Sequence, residues 1–447
     1  MKSNKLSHRK RQKRSSDLLR LGFPPLLAVV LAIPCMEFPW LWDDYAFLGR
    51  AQAFQLHDLL PRGDVLFWRP LSREIWFALL WRIAPHAPLI AHLTHAAIVA
   101  VAVVLVGSIA KRLFGPRAGF LAATLYASLG ALPMLIGWAS ASQDLLAILF
   151  FLAALHFRLT GRLLASVLAT ALAILSKETV AFLVPLIAVT PWIMGGRPRR
   201  PPLDLGAYGA LLALWVSVHT GIHTLLARHF AAEVYVGIGG LDRLPLLGRG
   251  LLAILNLPVP GGGSGWREDR VVLLVCSAAL IALGIWLAPN RSAETSAAAH
   301  GPPRKWRGAV IAVAIALLPT LGTAALLKIY VPYYASLPGI GTAMLLGAAL
   351  AGIPATAAAA GTILFMALGL LLRAQPLDQS TPTERNYEIR PRRWRAWNGG
   401  SGRCGRRCRR EVTSSYRSPE PAPSRSTATS ISFRLPGCGT TTRRSGC

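Results

Sequence analysis

Apolar residues run in stretches of about 17 to 25 positions along this chain, separated by short polar connections rich in Lys and Arg. A helix of that length crosses about 30 Å of hydrocarbon, and lipid offers its backbone no hydrogen-bond partner outside the segment. The pattern predicts spans over residues 22–40, 88–110, 118–137, 145–158, 163–177, 179–195, 203–222, 271–288, 308–327, 335–352 and 354–372, about eleven in all. Two of them, 145–158 and 163–177, are short for a crossing and are expected to tilt or to pair as a buried hairpin. Gly, Ala and Ser recur in most spans, notably over 355–361, and small residues let helices approach closely in lipid.

Two polar stretches break the series. Residues 41–85 are too polar to cross, yet Leu71 to Arg82 places apolar and aromatic residues on one helical face. That face predicts an amphipathic helix lying flat on the outer leaflet. Residues 223–270 read either as a half-buried loop closing over a cavity or as a plain linker. Gly261-Gly262-Gly263-Ser264-Gly265 lacks the strand and helix context of a phosphate-cradling loop.

Composition removes the soluble classes. Of 447 residues, 53% are hydrophobic and 15% charged, and the mean hydropathy is +0.44, so the expected fold is an all-α integral membrane bundle. Lys2, Lys5, Arg9, Lys10, Arg11, Lys13 and Arg14 place the N-terminus in the cytoplasm, and the apolar run that follows has no small-residue cleavage site, which reads as a retained anchor. Lys111, Arg112 and Arg117, then Arg158 and Arg162, then Arg197, Arg199 and Arg200, then Arg304, Lys305 and Arg307 fall on the same side in an alternating count. An odd number of spans exports the C-terminus.

Three parts follow: a basic cytoplasmic segment 1–21, a polytopic domain 22–372, and a tail 373–447. The tail carries much of the net charge of +28, has no Lys after Arg373, and holds four of the six cysteines. It lacks helical or strand periodicity and is expected to be disordered. Cys404, Cys408, Cys438 and Cys447 do not have zinc-site spacing. The run Arg403 to Arg410 reads like a GC-rich gene translated out of frame. Exported by this topology, the tail is not expected to meet nucleic acid.

The candidate chemistry gathers on the side opposite the basic loops. Asp43 and Asp44 follow the first apolar stretch, within Phe38-Pro39-Trp40-Leu41-Trp42-Asp43-Asp44-Tyr45, and are expected on an interfacial loop. Arg69 and Arg73 lie further along the same connection, and guanidinium suits two-point binding of phosphate oxygens. Gln143 and Asp144, after Trp138, form a neighbouring turn, and Lys177 with Glu178 interrupts an apolar run before Pro185. A cation beside an anion there either snorkels to water or contacts a lipid phosphate. His92 and His95 share a helical face and are expected to bond the backbone rather than a metal.

In order, Trp42-Asp43-Asp44, Arg69-Pro70-Leu71, His92 and His95, Trp138 to Asp144, Ser176-Lys177-Glu178 with Pro185, and Tyr333-Tyr334-Ala335-Ser336-Leu337-Pro338-Gly339 resemble the polytopic GT-C glycosyltransferases. The protein-mannosyltransferase-like and dolichyl-phosphate-mannose transferase branch is the nearest likeness, over residues 20–372. Lys328, Tyr330 and Tyr333 depart from the Arg-Tyr-x-Tyr of relatives, which puts a phosphate-binding arginine there in doubt.

The resemblance implies a GT-C-like fold and transfer of a sugar from a polyprenyl phosphate or diphosphate carrier to a protein, lipid or glycan acceptor. The site would face the outside of a bacterial inner membrane. Asp43 or Asp44 would be the base or would hold a divalent cation such as Mg2+ or Mn2+. Arg69, Arg73 and Lys177 would meet the donor phosphate. Glu178, Trp138, Gln143, Asp144 and Tyr333 would support the substrate site. The competing class is a multi-span transporter or flippase, whose internal repeats and midplane charges the sequence does not display.

Overall fold

The computed structural model describes residues 22–61, 67–196, 201–219, 243–257, 305–326 and 331–374. All belong to the first of two compact units, Met1–Pro391; the second unit, Arg392–Cys447, the basic segment before residue 22 and the expected span 271–288 lie outside the described residues. Among the described residues 84% are helical and none forms a strand.

The helices are α1 (Gly22–Cys35), α2 (Trp42–Gln52), α3 (Trp76–Ile83), α4 (Pro88–Phe114), α5 (Pro116–Ala127), α6 (Leu132–Ile136) and α7 (Ser142–Leu159). After them come α8 (Leu163–Ser176), α9 (Val184–Ile193), α10 (Pro201–Val218), α11 (Leu244–Ile254), α12 (Lys305–Leu326), α13 (Gly339–Ala351) and α14 (Ala355–Ala374). Five described segments are long and apolar enough to cross a membrane: Pro88–Phe114, Ala139–Leu159, Pro201–Val218, Lys305–Leu326 and Ala355–Arg373. Shorter apolar helices occupy Gly22–Cys35, Leu163–Ser176, Glu178–Ile193, Leu244–Ile254 and Gly339–Ala351.

Three expected spans are interrupted, each for a local reason. Residues 118–137 divide into α5 and α6 because the chain turns at Ser128 to Ala131, where Gly130 N donates to Asn256 Oδ1 at 2.9 Å. Residues 179–195 open as a 3-10 turn, Glu178–Leu183, before α9, with Pro185 in the first turn of that helix. The first helix ends at Cys35, and Pro39 lies in the extended run that leads to α2.

The α5 helix is the axis of the bundle, with every residue from Arg117 to Ala127 buried. It lies against α13, where a Cβ added at Gly347 would stand 2.6 Å from Ala122 N, so only glycine permits that approach. The Ala-rich start of α14, singled out by composition, is largely exposed instead.

Away from the acidic pair, Arg158 of α7 forms a buried ion pair with Asp204 of α10, Nη1 to Oδ2 at 2.9 Å, and donates to Ala188 O at 3.1 Å. Tyr208 of α10 donates to Ser166 Oγ at 2.6 Å. Polar contacts thus join α7, α8, α9 and α10.

Candidate functional site

The two aspartates sit in the first turn of α2 rather than on a loop. Leu41 is extended and its N–H donates to Asp44 Oδ2 at 2.8 Å, while Asp44 N–H donates to Leu41 O at 2.7 Å. This reciprocal capping, with two carboxylates at the positive end of the helix, starts α2 where sequence reading expected irregular backbone.

Burial then separates their roles. Asp44 is fully buried, and its Oδ1 accepts Ser140 N–H at 2.7 Å and Ser140 O–H at 2.5 Å. Burial pushes its carboxyl up to about 7 against those hydrogen bonds, which favour the charged form. Asp43 is exposed; the protein packed about it raises its carboxyl above the ordinary range and the positive charge of Arg69 pulls it back. Both oxygens of Asp44 accept hydrogen bonds, Oδ2 from Leu41 N–H and Oδ1 from Ser140. Among the described residues no group of three His, Cys, Asp or Glu gathers.

Arg69 precedes a π-helical turn, Pro70–Ile75, that leads into α3. This turn and α3 occupy the stretch read as amphipathic, with Phe77, Ala78 and Leu80 buried and Leu79 and Ile83 exposed. The Arg69 guanidinium donates to both oxygens of Glu178, with Nε to Oε2 at 2.7 Å, and its Nη1 donates to Gln143 Oε1. The carboxylate beside it holds the Arg69 pKa above its ordinary value. Three of five N–H bonds are committed, which leaves two for a ligand. Gln143 Nε2 in turn donates to Ser140 O at 3.0 Å.

Lys177 is buried and donates to Asp144 Oδ1 at 2.6 Å, with Nζ 5.3 Å from the ring centroids of Tyr333 and of Tyr334. Trp138 meets Tyr333 edge-on at 5.3 Å. A narrow cleft, of about 10 Å3, has Tyr334 and Ala335 in one wall, with Leu246 and Gly250 of α11 and Thr320 and Thr323 of α12 around it.

Structure thus brings together Asp43, Asp44, Arg69, Gln143 and Glu178 in one network, and Asp144, Lys177, Trp138 and Tyr333 in a second cluster. The two join where Gln143 meets Asp144 in α7 and Lys177 meets Glu178. Arg73 stands outside both: its Nη1 donates to Phe67 O at 3.2 Å, its Nε faces Glu74 at 3.6 Å, and its guanidinium lies over the Phe47 ring. The imidazoles of His92 and His95 bond Met36 O and Leu135 O through Nδ1 at 3.0 Å each, which matches the expected backbone role.

Ser140 escaped the sequence reading, as did the seam of serines beside it. Ser72 Oγ donates to Ser176 O at 2.6 Å and Ser142 Oγ to Ser72 O at 3.0 Å. Clustering of Ser140 and Ser142 just before Gln143-Asp144 was the available signal.

Comparison of the chain with protein-family models, with curated proteins and with solved structures finds no match.

Proposed function

We propose that this chain transfers a sugar from a polyprenyl-phosphate donor to a hydroxyl acceptor, with Asp43 as the base. One observation carries the reading: the acidic pair is divided into a buried anchor, Asp44, and an exposed carboxylate, Asp43, that feels the charge of Arg69. A displacement at the anomeric carbon needs a base for the acceptor hydroxyl proton and positive charge at the leaving phosphate.

In this reading Asp43 takes the proton as the new glycosidic oxygen bonds to the anomeric carbon, and the phosphate leaves with the electrons of the broken C–O bond. Arg69 meets that phosphate with its two uncommitted N–H bonds. Lys177, held by Asp144 beside two tyrosine rings, adds a second positive charge.

The reading assigns about eleven spans, a cytoplasmic N-terminus and a site on the outer face of a bacterial inner membrane, with the π turn and α3 at the outer leaflet.

The test is sugar transfer from polyprenyl-phosphate donors in membranes holding equal amounts of the native chain, Asp43→Asn, Asp44→Asn, Lys177→Ala and a truncation after residue 376. Loss in Asp43→Asn with retention in the truncation supports the reading. A native chain that consumes no donor overturns it and favours the transporter or flippase class.

A further inference from the structure

Ser140 and Gln143 occupy an unusual place: through them the acidic turn and the arginine meet without touching each other directly. Ser140 gives its N–H and O–H to Asp44 Oδ1, and its carbonyl accepts Gln143 Nε2. The other end of Gln143 accepts Arg69 Nη1. A continuous hydrogen-bonded path therefore runs from α2 to the residue that opens the π turn, and through Glu178 to the segment after α8.

Geometry gives each link a mechanical task. Glu178 grips the guanidinium along one edge, and the Phe67 ring lies against its face at 4.5 Å. The Gln143 bond adds a third point, and three points fix a plane. At the other end Asp44 is held at both oxygens, Oδ2 by Leu41 N–H and Oδ1 by Ser140. That fixes the first turn of α2, from which Asp43 projects.

We propose that Ser140 and Gln143 are positioning residues that couple the Asp43-Asp44 turn to Arg69 and hold base and cation at one fixed spacing. This deepens the glycosyltransferase reading and rests on it for the word base. The coupling itself is a property of the hydrogen bonds and is measurable without any reaction.

The experiment is a double-variant cycle on the full chain in lipid nanodiscs with Ser140→Ala, Gln143→Leu and the pair, read in two ways. The first readout is transfer from a polyprenyl-phosphate donor: kcat falls about tenfold or more in each single variant with donor KM unchanged, and the double falls no further. Ser140→Thr keeps the hydroxyl and restores kcat, which a gain or loss of bulk alone would not do. The second readout is the rate at which phenylglyoxal modifies Arg69, followed by peptide mass spectrometry. The native guanidinium reacts slowly, each single variant several-fold faster, and the double no faster than the singles.

If the native chain transfers nothing while Arg69 labelling follows this cycle, the glycosyltransferase reading falls and the coupling stands. If Arg69 reacts at the native rate in both single variants, or the two effects multiply in the double, the coupling is overturned. An unchanged kcat in the variants of an active native chain overturns the positioning role.

Discussion

Arg69 and Glu178 lie 109 positions apart in the chain, yet they meet in a two-point ion pair with Nε to Oε2 at 2.7 Å. The pair closes the connection between α2 and α3 onto the connection between α8 and α9. Its side chains are mostly buried, 12% and 24% exposed, so neither charge is solvated enough to stand alone.

Removing one partner should therefore cost more than removing both. Glu178→Ala leaves a buried guanidinium uncompensated and is expected to destabilise by about 3 kcal/mol, whereas Arg69→Met with Glu178→Leu recovers most of that loss. Chemical unfolding of the three variants in one detergent measures it. Equal losses in single and double variants would show the pair to be dispensable as a pair.

Asp43 and Asp44 should part company in assay. Asp43→Asn is expected to lower transfer by about 100-fold or more while leaving the thermal midpoint near native. Asp44→Asn should act on stability, by about 1 to 3 kcal/mol, because an amide group replaces one of two acceptor oxygens facing N–H or O–H donors. Transfer rates and melting curves on the same preparations separate the two.

Stability should fall with rising pH through the Asp44 titration. The folded carboxyl sits at about 7, above its ordinary value of 3.8, so the folded state binds the proton more tightly than the unfolded chain. Its contribution is complete below the unfolded value and is lost as pH rises through about 7. Melting temperature measured between those limits should decline in the native chain and decline less in Asp44→Asn. An equal slope in both would assign the pH dependence to other groups.

Asn256 ties α11 to two other elements. It has a positive φ of 58°, and besides accepting Gly130 N–H it donates to Ser128 O at 3.1 Å and Phe365 O at 3.0 Å. Asn256→Ala combines a left-handed backbone with the loss of three buried bonds and should destabilise by about 2 to 4 kcal/mol. Asn256→Gly relieves the backbone and should lose less. A reversed order would show that the left-handed backbone costs little.

Sequence pattern was informative where a single chemical contrast dominated. Asp43, Asp44, Lys177 and Glu178 were conspicuous because charge in an apolar chain is rare, and the helices followed from the lengths of the apolar runs. Ser140 was not legible, since one serine among Ala139-Ser140-Ala141-Ser142 announces no partner until Asp44 arrives from another segment. Arg69 and Arg73 look equivalent in sequence, and only the π turn gives Arg69 to Glu178 and leaves Arg73 to Glu74 and Phe47. The breaks at Ser128 to Ala131 were hidden because the residue that stabilises the turn, Asn256, lies far along the chain.

The Arg158–Asp204 pair sets a schedule for assembly. Arg158 is synthesised before its counter-charge, and until Asp204 arrives with Pro201–Val218, the other bond it has in the finished fold is to Ala188 O. A cation in α7 that waits for an acid in α10 gives the most lipid-exposed of the five long segments a reason to dock. An α10 that fails to deliver its acid is then expected to leave Arg158 buried without its counter-charge and α10 without its ionic anchor on α7.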